Sequence, residues 1–199
     1  MGRPAGTTKR RMIGSAVELL RERGAAAVTI DAVLARSGAP RGSVYHHFPG
    51  GRNELLLTAA QQAGDYIARL IDAAVQDGDP ALALDRFVGI WKQTLVDTDY
   101  LAGCPIVAVA VDPREDLPEA TLLAREIFLQ WKSRLRDLLT ANGFSDERAR
   151  RLATLTVAAV EGAVILCRTD RSAAPLDDVV SEIGILLTAE RRAAGAAAG

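Results

Sequence analysis

Apolar residues recur at helical spacing along almost the whole chain. Ile13, Ala16, Val17 and Leu20 stand at i, i+3, i+4 and i+7 and predict a first helix over 8–23, stopped by Gly24. Thr29 then offers an N-cap oxygen ahead of Ile30, Val33 and Leu34, and Gly38 supplies a left-handed stop beyond this short second helix. Pro40, with its fixed φ, suits the start of a third helix whose buried side carries Val44 and Phe48, and Pro49-Gly50-Gly51 ends it. Further helices are predicted over 53–75, over 80–96 with Leu84, Phe87, Val88, Trp91 and Leu95 on one side, and over 119–141, 145–168 and 176–191. The turn Asp77-Gly78-Asp79-Pro80 separates the first two of these, and Gly103 and Pro105 bracket a short apolar piece. No strand pattern and no internal repeat emerges, so the expected fold is all-α, with about nine helices.

Charge changes this picture more than composition does. Lys and Arg number 24 against 25 Asp and Glu, a net charge of −1 that argues against a polyanion partner. The balance is segregated, however: nine basic and three acidic residues precede residue 53, a net +6, which leaves −7 for the remainder. A cationic front of that size suits phosphate, and the anionic remainder is repelled by it. Cys104 and Cys167 lack the paired spacing of a disulfide framework or a zinc site, so a reducing compartment is expected. Gly103, Pro105 and Glu161 interrupt the apolar runs short of the ~18 residues of a membrane helix, and the N-terminus is polar and basic. The expectation is a cytoplasmic protein with no membrane partner.

The second and third helices, joined by a glycine turn, have the proportions of a helix-turn-helix, whose second member lies in the DNA major groove. With Val44 and Phe48 inward, Arg41, Ser43, Tyr45, His46 and His47 face out. A guanidinium, two hydroxyls and two imidazoles are the groups that contact phosphates and base edges. Taken singly, Tyr45 equally suits a partly buried aromatic, the histidines a solvated face, and Arg41 a local carboxylate. The stretch from Gly2-Arg3-Pro4 to Lys9-Arg10-Arg11 suits an arm in the minor groove or a solubilising tail.

The run Thr29-Ile30-Asp31-Ala32-Val33-Leu34-Ala35-Arg36-Ser37-Gly38, followed by Gly42-Ser43-Val44-Tyr45-His46-His47-Phe48, resembles the TetR family of bacterial transcriptional regulators. The pieces Tyr45-His46-His47-Phe48-Pro49-Gly50-Gly51-Arg52 and Tyr100-Leu101-Ala102-Gly103-Cys104-Pro105-Ile106 further resemble its branch named for LmrA and YxaF, which includes repressors answering to drugs and plant flavonoids. The resemblance implies a helix-turn-helix DNA-binding domain over 1–52 and a helical effector-binding and dimerisation domain over 53–199. It implies phosphate contacts from Thr29 and Tyr45, with Arg41, Ser43 and His46 nearest to base edges. Arg52 falls where members usually place a lysine at the start of the fourth helix. Pro40 departs from the small polar residue common at its position, which removes a backbone donor, and the Gly50-Gly51 pair adds a residue before Arg52.

One recognition helix covers few base pairs, so a twofold dimer reading two half-sites is expected. The last two helices carry apolar stripes, and family members are described as pairing these helices into a four-helix bundle. The expected interface is Leu152, Leu155, Ala159, Ala163, Val179, Ile183 and Leu186, although the same stripes also suit the chain's own core. The middle helices hold most of the bulky aromatics outside the head. Trp91, Leu95, Cys104, Ile106, Val107, Phe128 and Trp131 are the candidates for lining an apolar effector pocket, against the alternative of plain core. The expected function is a ligand-responsive repressor of operator DNA. An enzyme is not expected: the two histidines are adjacent in the head, and neither a glycine-rich phosphate loop nor a metal-binding helix motif occurs, so no catalytic residue, metal or cofactor is assigned.

Overall fold

The computed structural model of the chain describes residues 5–112 and 115–197, all helix, turn and loop. Nine α-helices occur among them, in the order α1 (Ala5–Arg23), α2 (Ile30–Ser37), α3 (Ser43–His47), α4 (Gly51–Ala74), α5 (Pro80–Asp97), α6 (Pro105–Ala110), α7 (Pro118–Ala141), α8 (Asp146–Asp170) and α9 (Ala174–Ala197), and no strand appears among the described residues. The expected all-α class is what the chain adopts. Short 3-10 turns at Ala25–Ala27 and Val75–Asp77 follow α1 and α4.

Local chemistry sets most of the boundaries. Thr29 caps α2 by accepting a hydrogen bond from the Ala32 amide at 3.1 Å. Gly38 closes the same helix at φ 61°, its N–H donating to the Leu34 carbonyl at 2.9 Å. Asp79 caps α5 through the amides of Ala81 and Leu82, with Pro80 at the first helical position. Ser145 caps α8.

Packing divides the chain into two compact units, Met1–Asp65 with Gly103–Ile127, and Tyr66–Ala102 with Phe128–Gly199. The expected 52/53 boundary falls at the start of α4, whereas this division falls within α4, between Asp65 and Tyr66. The first half of α4 contributes Leu55, Leu56, Ala59 and Ala60 to the core that also holds Met12, Leu20, Val33, Val44 and Phe48. α6 joins the same unit, and the Gly103 N–H donates to the Arg21 carbonyl at 2.8 Å. In that unit α4 and α7 approach closely at Gly64, where a β-carbon would lie 2.6 Å from Ile127 Cδ1.

The second unit is built on α5, α8 and α9 with the later turns of α4 and α7. Lys92 of α5 pairs with Asp177 of α9 at 2.5 Å, and Arg134 of α7 with Asp72 of α4 at 2.7 Å. The hydrogen bond to Asp177 holds the Lys92 ammonium above its ordinary pKa. Two successive non-glycine residues, Asp99 and Tyr100, take left-handed φ values of 50° and 59° after α5. Arg171, itself at φ 50°, donates to the Asp99 carboxylate at 2.5 Å and to its carbonyl at 3.3 Å.

Candidate nucleic-acid interface, dimer face and apolar cavity

The head is held by a dense set of polar contacts behind its outer face. Arg36 of α2 donates to both oxygens of Glu22 on α1, at 2.8 and 2.6 Å, and its Nε lies 2.8 Å from Glu18. The hydrogen bond from Arg36 holds the Glu22 carboxyl below its ordinary range. Arg11 donates to the Gly38 carbonyl at 3.1 Å, tying α1 to the turn between α2 and α3.

α3 is short, with Val44 and the residue after it, Phe48, fully buried. The opposite side is open. Tyr45 is 63% exposed, and His46 and Arg41 are exposed too, while Ser43 and His47 are half-buried. The rings of His46 and His47 meet edge-on at 4.9 Å. Ser43 Oγ donates to the Pro40 carbonyl at 2.6 Å, which leaves its oxygen to accept. Thr29 is exposed, and since its oxygen accepts from Ala32, its hydroxyl hydrogen is directed elsewhere. Arg41 pairs with Asp31 at 2.7 Å.

Arg52, expected among the DNA-binding residues, is engaged by backbone carbonyls of the head. Its guanidinium donates from Nε to the Val28 carbonyl at 2.7 Å and from Nη2 to the Ala25 carbonyl at 2.8 Å, satisfying the end of the 3-10 turn after α1. Lys9, Arg10 and Arg11 belong to the second and third turns of α1 rather than to an extended arm, and Gly2, Arg3 and Pro4 lie outside the described residues. Lys9 Nζ stands 5.3 Å from the Phe48 ring centroid, and Lys9 and Arg10 are both exposed.

In the second unit α8 is apolar on two sides. Leu152, Val160, Ala163, Val164 and Cys167 are buried in the unit's own core, as are Ile183 and Leu187 of α9. Burial pushes the Cys167 thiol above its ordinary pKa. The other side of α8 leaves Leu155, Ile165 and Leu166 about half exposed, and α9 leaves Ile185 61% exposed. Of the expected interface residues, Leu155 is thus open, Ala159, Val179 and Leu186 are half-buried, and Leu152, Ala163 and Ile183 are internal. Leu166, on the same stripe as Leu155, and Ile165 and Ile185, off the stripes read in the sequence, complete the open face. By length and composition α8 is the one helix among the described residues apolar enough to cross a membrane, with mean hydropathy 1.5 and a third of that stretch buried. A core helix with a second apolar face passes the same test.

A cavity of about 60 Å³ opens inside the second unit, between the ends of α4 and α5 and the faces of α7, α8 and α9. Its walls are almost wholly apolar, with Phe87 and Trp131 as the aromatics and Thr156 and Glu161 of α8 as polar side chains. Of the seven residues expected to line a pocket, Trp131 lines this one. Phe128 packs edge-on against Trp131 at 5.2 Å, and Trp91 and Leu95 are buried core. Cys104, Ile106 and Val107 fall in the first unit.

Two family descriptions match the chain: bacterial regulatory proteins of the tetR family over residues 13–59, and the LmrA/YxaF-like transcriptional regulator C-terminal domain over residues 80–182. The HTH-type transcriptional regulator Rv0196 of Mycobacterium tuberculosis is 42% identical over 187 residues, covering 92% of this chain and 95% of that protein. LmrA of Bacillus subtilis is 29% identical over 186 residues, with 92% and 97% covered. The fold matches that of a regulatory protein TetR from Rhodobacter sphaeroides with a TM-score of 0.81 at 23% identity, over 88% of this chain and 96% of that one. These relatives are regulators and not enzymes. With a family domain covering more than half of its length, the chain belongs to the TetR family of DNA-binding transcriptional regulators, in the LmrA/YxaF-like branch.

Proposed function

We infer that the protein is a cytoplasmic homodimeric repressor that leaves its operator when a small apolar effector enters the second unit. The observation that carries the DNA contacts is the open side of α3: Tyr45 and His46 stand exposed with Arg41 and Thr29 around them, while Val44 and Phe48 anchor the helix from behind. Thr29 and Tyr45 hold phosphates through their hydroxyls, and Arg41, Ser43 and His46 read base edges, with His47 supporting His46. Lys9 and Arg10 add charge for the backbone.

The open face of α8 and α9 supports a second copy of this chain as the partner. A helix apolar on two sides belongs where both are covered, and the chain itself covers one. The cavity beside Trp131 supports an effector site. An effector that prefers a dimer with wrongly spaced heads lowers DNA affinity by its differential affinity for the two conformations, typically about 5- to 150-fold. The test is a footprint on the DNA flanking the protein's own gene. A protected twofold-symmetric site whose affinity falls steeply with salt is expected, and no protection of any fragment at low salt would refute the reading.

A further inference from the structure

We propose that Arg11 of α1 is a positioning residue for sequence reading: its guanidinium sets the angle at which α3 leaves the turn after α2. The inference rests on reading the open side of α3 as the recognition surface and adds what holds that surface in register.

The turn has few donors of its own. Ser37, buried, accepts from the Ala39 amide at 3.3 Å, and Ser43 gives both its amide and its hydroxyl to the Pro40 carbonyl, at 2.9 and 2.6 Å. Pro40 has no N–H to give. The carbonyl of Gly38, the left-handed residue that ends α2, accepts from Nη2 of Arg11 at 3.1 Å, across 27 residues of sequence. Arg11 is half-buried, and its Nε is a buried atom with no hydrogen-bond partner. A cation kept only for solubility stays in water. This one gives up hydration at Nε without recovering a bond there, and what it obtains is the hold on Gly38. Two residues earlier, Lys9 Nζ stands close enough to the Phe48 ring for a cation–π contact. One turn of α1 thus touches both ends of the recognition element, the residue that closes α2 and the residue that follows α3.

α3 has five residues, too few to keep a direction by itself. Val44 and Phe48, fully buried on one side, fix its depth, and its tilt is left to the turn and to Arg11. Tilt matters unequally to the two kinds of DNA contact. Hydrogen bonds to base edges weaken steeply with angle, whereas attraction to phosphate is spread along the backbone and tolerates displacement. Loss of the hold on Gly38 therefore blunts discrimination between sequences and leaves the number of phosphates engaged unchanged.

The test uses the full chain in anisotropy titrations on its footprinted operator and on a scrambled duplex, over a range of salt and well below the melting temperature of each protein. Arg11→Met keeps an unbranched apolar stem and removes the guanidinium. Its operator-to-scrambled affinity ratio is expected to fall about tenfold, as for one spoiled base contact, with the salt slope unaltered. Arg11→Lys keeps the charge but exchanges a planar fork for a flexible, strongly hydrated ammonium, and should narrow the ratio about threefold. The Lys variant stands alone if the Met variant does not fold. An unchanged ratio in the folded Met variant, or in the Lys variant where it stands alone, overturns the proposal even if the melting temperature drops. Equal losses on both duplexes with a salt slope lower by about one would put Arg11 on a phosphate and overturn it too. A wild-type chain that does not distinguish the two duplexes removes the recognition reading of α3 first, and this proposal with it.

Discussion

Arg41 and Asp31 form an ion pair at 2.7 Å across the turn between α2 and α3, with side chains 81% and 75% exposed. A pair so open contributes little to stability, about 0–1 kcal/mol. Its consequence lies in what Arg41 does next. Asp31 restrains the guanidinium at the edge of α3 and adds a negative charge to that exposed face.

Asp31→Ala is therefore expected to tighten binding to random duplex DNA, by on the order of 1 kcal/mol or about fivefold, and to narrow the margin between operator and random sequence. Arg41→Ala should remove about 1–3 kcal/mol of discrimination at one base pair. Anisotropy titrations of both variants on operator and scrambled duplexes check this. An unchanged operator-to-random ratio in both would show that the pair has no part in reading sequence.

Arg52 presents the opposite case, a conspicuous cation turned inward. Arg52→Ala frees two backbone carbonyls and is expected to cost about 1–3 kcal/mol in a urea melt. It should leave the salt slope of DNA binding unaltered. A slope lowered by about one unit would instead place the side chain on a phosphate.

The two sides of α8 separate by substitution. Leu166→Arg, on the open side, should yield a folded monomer by light scattering whose operator affinity falls on the order of a hundredfold or more. Leu152→Ala, on the buried side, should cost about 2–5 kcal/mol of stability. A Leu166→Arg protein that remains dimeric would move the interface elsewhere.

How far the sequence reached depends on the range of the forces involved. Thr29 and Gly38 were legible as caps because an N-cap oxygen and a left-handed residue act within one turn. The orientation of Arg52 was not, since its partners are 24 and 27 residues away and a motif position says nothing of the rotamer. Periodicity found the apolar stripes of α8 and α9, but on a helix apolar on both sides it cannot tell which stripe the chain itself covers. Leu152, Ala163 and Ile183 consequently fell inside, and Ile165 and Ile185 were passed over. Likewise, Trp91 and Trp131 share the same helical pattern, and only packing decides that Trp131 meets a void.

The Glu22–Arg36 pair sets a pH response. Because Arg36 lowers the folded-state pKa of Glu22, the pair's contribution is fully present above the ordinary glutamate value, roughly 4.3, and disappears as the pH falls through the lowered one. Thermal melts of wild type and Glu22→Gln should differ at neutral pH, by about 1 kcal/mol for a pair that water still reaches, and converge in acid. A gap that persists at the lowest pH would assign the difference to packing.

The near contact of Gly64 with Ile127 ties two distant codons together. A methyl group at position 64 claims volume that the Ile127 side chain occupies, so enlarging one asks for trimming the other. Joint randomisation of the two sites should return functional clones that conserve summed side-chain volume, and drift at either site during divergence would be paced by its counterpart.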